Sequence, residues 1–340
     1  MNVRRHHIPA AALAAVTALG FGTLTACSSD SAAAGSTDKF DVVASFYPMA
    51  FLAEQIGGEH VNVTSLTEPG QEPHDLEISA RQTAQLQESD AALYLEGLQP
   101  SVDEAIGQSG IKTKIDAATL TSLEEHGAEA GGHEEHADEH AHEDEHAEGE
   151  TAHEDEHEHE HSHETEGGKD PHIWLDPVKY AEVAEGVGKA FQKADPDHAA
   201  DYEKNTEVLV GKLNDLDTTF EAGLKGRKTD VFITTHAAFG YLAERYGLTE
   251  EAISGLDPES EPSAARVREL ATTAKADGVT TVFYETLVSD KTAKTLAGDA
   301  GLRTDVLDPI EGITDASRGD DYFQVMEANL EALQTALGAK

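Results

Sequence analysis

The sequence predicts an α/β fold of two lobes with largely parallel sheets, joined by one long helix. Three observations carry this. Strand-like and helix-like stretches alternate in each half of the chain, which is the pattern of βαβ units. A long amphipathic stretch without internal proline separates the two halves. The 340 residues, 39% of them hydrophobic, exceed one ordinary core and suit two domains.

In the first half the strands are FDVVASF (40–46), VNVTSL (61–66) and AALYLE (91–96), rich in β-branched and apolar residues. Between them LAEQIGG (52–58) and ISARQTAQLQES (78–89) read as helices, the first stopped by Gly57 and Gly58. Residues 124–168 break the alternation. They hold 19 acidic residues, 11 His and no Lys or Arg, so they supply nothing for a core and read as a disordered insertion. Order is expected to return at KDPHIWLDPVKY, followed by a helix from about Pro177. In the stretch 196–226, Tyr202, Val208, Val210, Leu213, Leu216 and Phe220 recur roughly every three to four residues. That predicts a helix of about 30 residues and about 45 Å, a strut between lobes. The second half repeats the alternation, with strands at 230–235, 280–285 and 304–308 and helices at 237–247, 263–278, 290–301 and about 321–337.

The first 38 residues lie outside this pattern. Arg4 and Arg5 precede an apolar run of small residues from Ala10 to Ala26, too short for a membrane span, which reads as an export signal. Leu24-Thr25-Ala26-Cys27 resembles a bacterial lipobox, in which the cysteine is lipidated and becomes the first residue of the mature chain. Cys27 is the only cysteine, so no internal disulfide exists. The expected organisation is a signal peptide (1–26), a flexible tether (27–38), a first α/β lobe (39–195), the linking helix (196–226) and a second α/β lobe (227–340). The formal charge of −42 argues against nucleic acid and anionic membrane surfaces as partners and suits a protein that handles cations.

Open α/β sheets bind ligands beyond the carboxyl ends of their strands. His74 follows strand 61–66, His236 follows strand 230–235, Glu285 ends strand 280–285 and Asp308 ends strand 304–308. His172 lies where order returns after the insertion. Three imidazoles and a carboxylate are a zinc donor set, whereas more oxygen would favour harder ions such as Mn²⁺.

The motifs GQEPHDLE, DPHIWLDPVKY, TTHAAFGYLAERYGL, DPESEPSAARVREL, VFYETLVSDKTAKTLA and VLDPIEG follow one another in this order. Together they resemble the metal-binding lipoproteins of ABC importers, specifically the zinc branch, the ZnuA type, from about Phe40 to the C-terminus. The resemblance implies two α/β lobes with a rigid linking helix and the metal in the cleft between them. It implies His74, His172, His236 and Asp308 as ligands, with Glu285 behind them rather than on the metal. The manganese-binding relatives usually carry Glu where this chain has His236, so zinc is the expected ion.

The implied function is an extracytoplasmic zinc-binding component that delivers its ion to a membrane permease and its ATPase. It is a monomeric carrier without catalysis, anchored through Cys27, with a zinc donor protein as a further partner. The alternatives are an importer component for Mn²⁺ or Fe²⁺, and a surface zinc buffer or adhesin acting through the insertion. A secreted zinc hydrolase is a reading of another class: HEDEH at 142–146 and 153–157 fits HExxH as letters, but no apolar helix face accompanies it. The insertion offers His133, His136, His140, His142, His146, His153, His157, His159, His161 and His163 as interchangeable, weaker metal contacts beside the cleft.

Overall fold

A computed structural model describes residues 39–127 and 169–339. The signal, the tether with Cys27 and the ten histidines from His133 to His163 lie outside the described residues. None of the described helices is long and apolar enough to cross a membrane.

The first lobe contains β1 (Phe40–Ala44), α1 (Tyr47–Gly57), β2 (Val61–Ser65), α2 (Ala80–Glu88), β3 (Ala91–Tyr94), α3 (Pro100–Gln108) and β4 (Thr113–Asp116). Then come α4 (Pro177–Ala194) and α5 (Ala199–Gly223). The second lobe contains β5 (Val231–Thr234), α6 (Gly240–Tyr246), β6 (Thr249–Ala252), α7 (Ala264–Ala276), β7 (Thr281–Tyr284), α8 (Lys291–Ala300), β8 (Arg303–Val306) and α9 (Tyr322–Leu337). The sheets have the same design, in the orders β2-β1-β3-β4 and β6-β5-β7-β8. All of their pairings are parallel.

Three of these elements were not anticipated. β4 (TKID) and β6 (TEEA) are edge strands, so burial on both faces imposes no apolar pattern on them. α3 begins at Pro100, which is preset for the first helical turn, but buries only Val102 and Ile106. The linking helix is also shorter than predicted. Pro196–His198 forms a separate 3₁₀ turn, and α5 runs for 25 residues, about 37 Å.

The two lobes share one core. Buried residues of α1, β1 and β3 join those of α4, α5 and α9, with Phe232 and Phe283 from the second sheet, in a single apolar cluster. Each sheet packs its other face on a smaller cluster of its own. Polar pins cross the cleft as well. Trp174 Nε1 donates to the Pro309 carbonyl at 2.6 Å, and Tyr322 Oη donates to the Trp174 carbonyl at 2.7 Å. Asp176, whose side chain caps α4, takes a bidentate contact from Arg245 of α6. A shared core and bidentate pairs resist rigid-body opening.

The packing of α4 on α5 depends on Gly188, because a Cβ there would collide with the Thr206 side chain. Gly188→Ala should destabilise the chain by about 1–3 kcal/mol through overpacking, read as a lower Tm in thermal unfolding. An unchanged Tm would show that the two helices can separate slightly at no cost.

Candidate metal centre

Both sheets aim their carboxyl ends at the cleft, and each lobe supplies two of the four converging side chains. His236 follows β5 and Glu285 follows β7, the two strands that flank the point where strand order reverses. His74 sits in the loop between β2 and α2, held by its N–H donating to Glu72 Oε1 at 2.9 Å. His172 opens a 3₁₀ turn at 173–175 and is fully buried.

The structure brings His74, His172 and His236 together with Glu311, each offering one ligand atom within 4.8 Å of the others. The three Nε2 atoms converge on Glu311 Oε1, at 3.2 Å from His74, 3.3 Å from His172 and 3.5 Å from His236. Only the His74 contact has hydrogen-bond geometry. Among the described residues, the Nε2 atoms of His172 and His236 and the second oxygen of Glu311 are buried without a partner. Buried polar atoms are ordinarily satisfied, so these orphaned ligand atoms call for a cation.

Asp308 does not join this group. The sequence reading placed it fourth; the structure puts Glu311 there. Asp308 Oδ1 accepts from Ile310 N–H at 2.8 Å and Oδ2 accepts from the Thr286 hydroxyl at 3.1 Å. Asn329 fixes its backbone from α9, through contacts to the Asp308 N–H and carbonyl. Ile310 then takes a φ of 60°, a costly conformation for a β-branched residue, and the chain turns so that Glu311 enters the cluster. Asp308 therefore shapes the turn that presents Glu311. The only hint in the sequence was a second acidic residue within VLDPIEG.

Carboxylates orient two of the imidazoles from behind. Asp170 Oδ1 lies 2.7 Å from His172 Nδ1, and Glu285 Oε1 lies 2.6 Å from His236 Nδ1. Such pairs fix the tautomer that leaves Nε2 free for a metal. Glu285 thus stands behind His236, outside the group of converging atoms. Asp170, two residues before His172, went unnoticed in the sequence.

Charge follows the same geometry. Burial opposes charge on His172, but Asp170 outweighs it and raises the imidazole to about 9. His236 is raised well above its ordinary value against burial, chiefly by Glu285. Burial pushes Glu311 up, yet the three imidazoles hold it well below the carboxylate range. Partial burial and the neighbouring Glu311 charge push Glu72 up to about 8.

A family model described as the periplasmic component A of the zinc-uptake complex matches residues 42–336. The chain belongs to this family. The high-affinity zinc uptake system protein ZnuA of Bacillus subtilis (strain 168) is 36% identical over 334 residues, covering 96% of this chain and 97% of that protein. The zinc-binding lipoprotein AdcA of Streptococcus pneumoniae (strain R6) is 36% identical over 317 residues, 92% of this chain. The match spans only 58% of AdcA's own length. The crystal structure of Zn(II)-bound AdcA from Streptococcus pneumoniae superposes with a TM-score of 0.68 at 32% identity, covering 89% of this chain and 59% of that one. The two-lobed fold predicted from the motifs is therefore the fold of known zinc-uptake family members.

Proposed function

We propose that the chain is the extracytoplasmic zinc-binding component of an ABC importer. In this reading it captures Zn²⁺ through His74, His172, His236 and Glu311 and hands it to a membrane permease driven by an ATPase. One observation carries the reading: three imidazole nitrogens and one carboxylate converge where the lobes meet, with orphaned ligand atoms and carboxylates behind two of the rings. Three nitrogens and one oxygen form a closed tetrahedral set, which leaves no open position for a hydrolytic water. Such a site stores and releases an ion. Nitrogen at His236 supports zinc over Mn²⁺, which prefers oxygen-rich sites.

Anchoring through lipidated Cys27 places the cleft near the permease, in keeping with the lipobox and with a relative named as a lipoprotein. Zinc chemistry rests on the cleft, and the acidic insertion is an accessory that raises local zinc concentration.

The test is zinc stoichiometry and affinity by chelator competition, in the full chain and in a variant lacking residues 128–166. The deletion should leave a single tight zinc of unchanged affinity and remove only weaker binding. Loss of the tight zinc would make the insertion the working site and a surface zinc buffer the better reading.

A further inference from the structure

We propose that His126 is a positioning residue for the metal site, acting through Asp170 on His172 from the root of the acidic insertion; this rests on the function proposed above. Asp170 is fully buried and its carboxylate works in two directions. Oδ1 meets both the N–H and the Nδ1 of His172, at 2.9 and 2.7 Å, while Oδ2 meets His126 Nδ1 at 2.9 Å. Among the described residues, His126 is the one side chain that occupies Oδ2. Without it, a buried carboxylate oxygen loses its partner, and the carboxylate is free to turn away from His172.

The surroundings are shaped to keep the ring in place. His126 packs edge-on against Tyr241, with ring centroids 4.5 Å apart, and its Nε2 reaches Glu244 at 3.1 Å. Any side chain at Gly240 would collide with the Cβ and Cγ of His126. Gly127 turns away at a φ of 70°, where an added Cβ would press on Ala237. The backbone is held too. Asp170 N–H donates to the Glu124 carbonyl at 2.9 Å, Tyr241 Oη accepts from Glu124 N–H at 2.8 Å, and the same hydroxyl donates to the Asp170 carbonyl at 2.8 Å.

Residues 124–127 were read from the sequence as part of the disordered insertion. They are instead laid on α6 of the second lobe, and they bring the two ends of the insertion together behind a candidate ligand. His126 is thereby set apart from the other histidines of this acidic stretch. It builds the cleft site, and a deletion meant to remove only the accessory must begin after it.

The test uses the full chain, zinc ion alone as the probe, and the fluorescence of Trp174, whose ring lies 5.2 Å from His172 and reports on the cleft. His126→Ala should weaken cleft binding by about tenfold, at the low end of losses for groups that orient metal ligands. His126→Asn, which returns an N–H donor to Asp170, should recover most of that loss. His126→Phe, which fills the space without a donor, should not. Phe and Asn variants of equal affinity, or an Ala variant that binds like wild type, would overturn the positioning role while leaving zinc capture intact. A wild-type chain with no zinc response at Trp174 would overturn the proposed function and this inference with it.

Discussion

Glu311→Gln should cost the cleft about two to four powers of ten in zinc affinity, with the fold retained. The substitution keeps the shape of the side chain and removes the one negative charge on which three imidazole nitrogens converge. Breaking a buried charge set by removing one partner costs about 3–5 kcal/mol, which is about two to four powers of ten in a binding constant. Asp308→Asn provides the contrast. An amide oxygen can still accept from Ile310 N–H, so the turn that delivers Glu311 survives, and the loss should be about tenfold, the size expected for a supporting contact. Chelator competition on the two variants separates them. A larger loss at Asp308 than at Glu311 would return the fourth ligand to Asp308.

The exchange of Asp308 for Glu311 shows where sequence reading stops. The alternation of strands and helices and the strand-end histidines could be read because each follows from a local rule: periodicity, a turn residue, a position after a strand. The choice between two carboxylates three residues apart is not local. It depends on Ile310 adopting a left-handed conformation and on Asn329, 21 residues away, holding the Asp308 backbone. Asp170 and His126 were hidden for a related reason. Asp170 carries no pattern of its own beside His172, and His126 stands in a run of acids and histidines whose composition signals disorder. Its contacts with Tyr241 and Gly240 are tertiary and leave no mark in that composition. The edge strands β4 and β6 escaped because half-solvated strands need no apolar run.

The shared core also bears on release. Lobes joined by one apolar cluster and by the Trp174–Pro309 and Asp176–Arg245 contacts cannot swing apart without exposing much of that core. His74 differs from the other candidate ligands. It sits on a loop without regular structure, and it keeps 12% of its side chain exposed where His172 is fully buried. The loop between β2 and α2 therefore holds the part of the cluster nearest to solvent, and its displacement would disturb the shared core least.

Zinc affinity should rise steeply with pH through the neutral range and keep rising to at least about pH 9, where His172 loses its proton. A ligating imidazole must give up its proton to the metal, so every group that is protonated in the empty site and bare in the loaded one makes binding pH-dependent. His172 is raised to about 9 and His236 well above its ordinary value, so both carry protons at pH 7 when the cleft is empty. The sign follows: lowering the pH favours the empty, protonated site, and raising it favours zinc. An unperturbed imidazole would confine this dependence to the region below about pH 6.5. The carboxylates at Asp170, Glu285 and Glu311 move it upward, because each stabilises the imidazolium in the absence of metal. Two such protons give about a hundredfold change in affinity per pH unit near neutrality. Glu72, held at about 8, adds to the proton release when a cation arrives in the same pocket. Calorimetry in buffers of different ionisation enthalpy should count about two to three protons released per zinc at pH 7, two from the imidazoles and the remainder from Glu72. A count near zero would mean that the imidazoles are already neutral in the empty protein. In that case Glu311 and the carboxylates behind the rings orient the ligands without charging them.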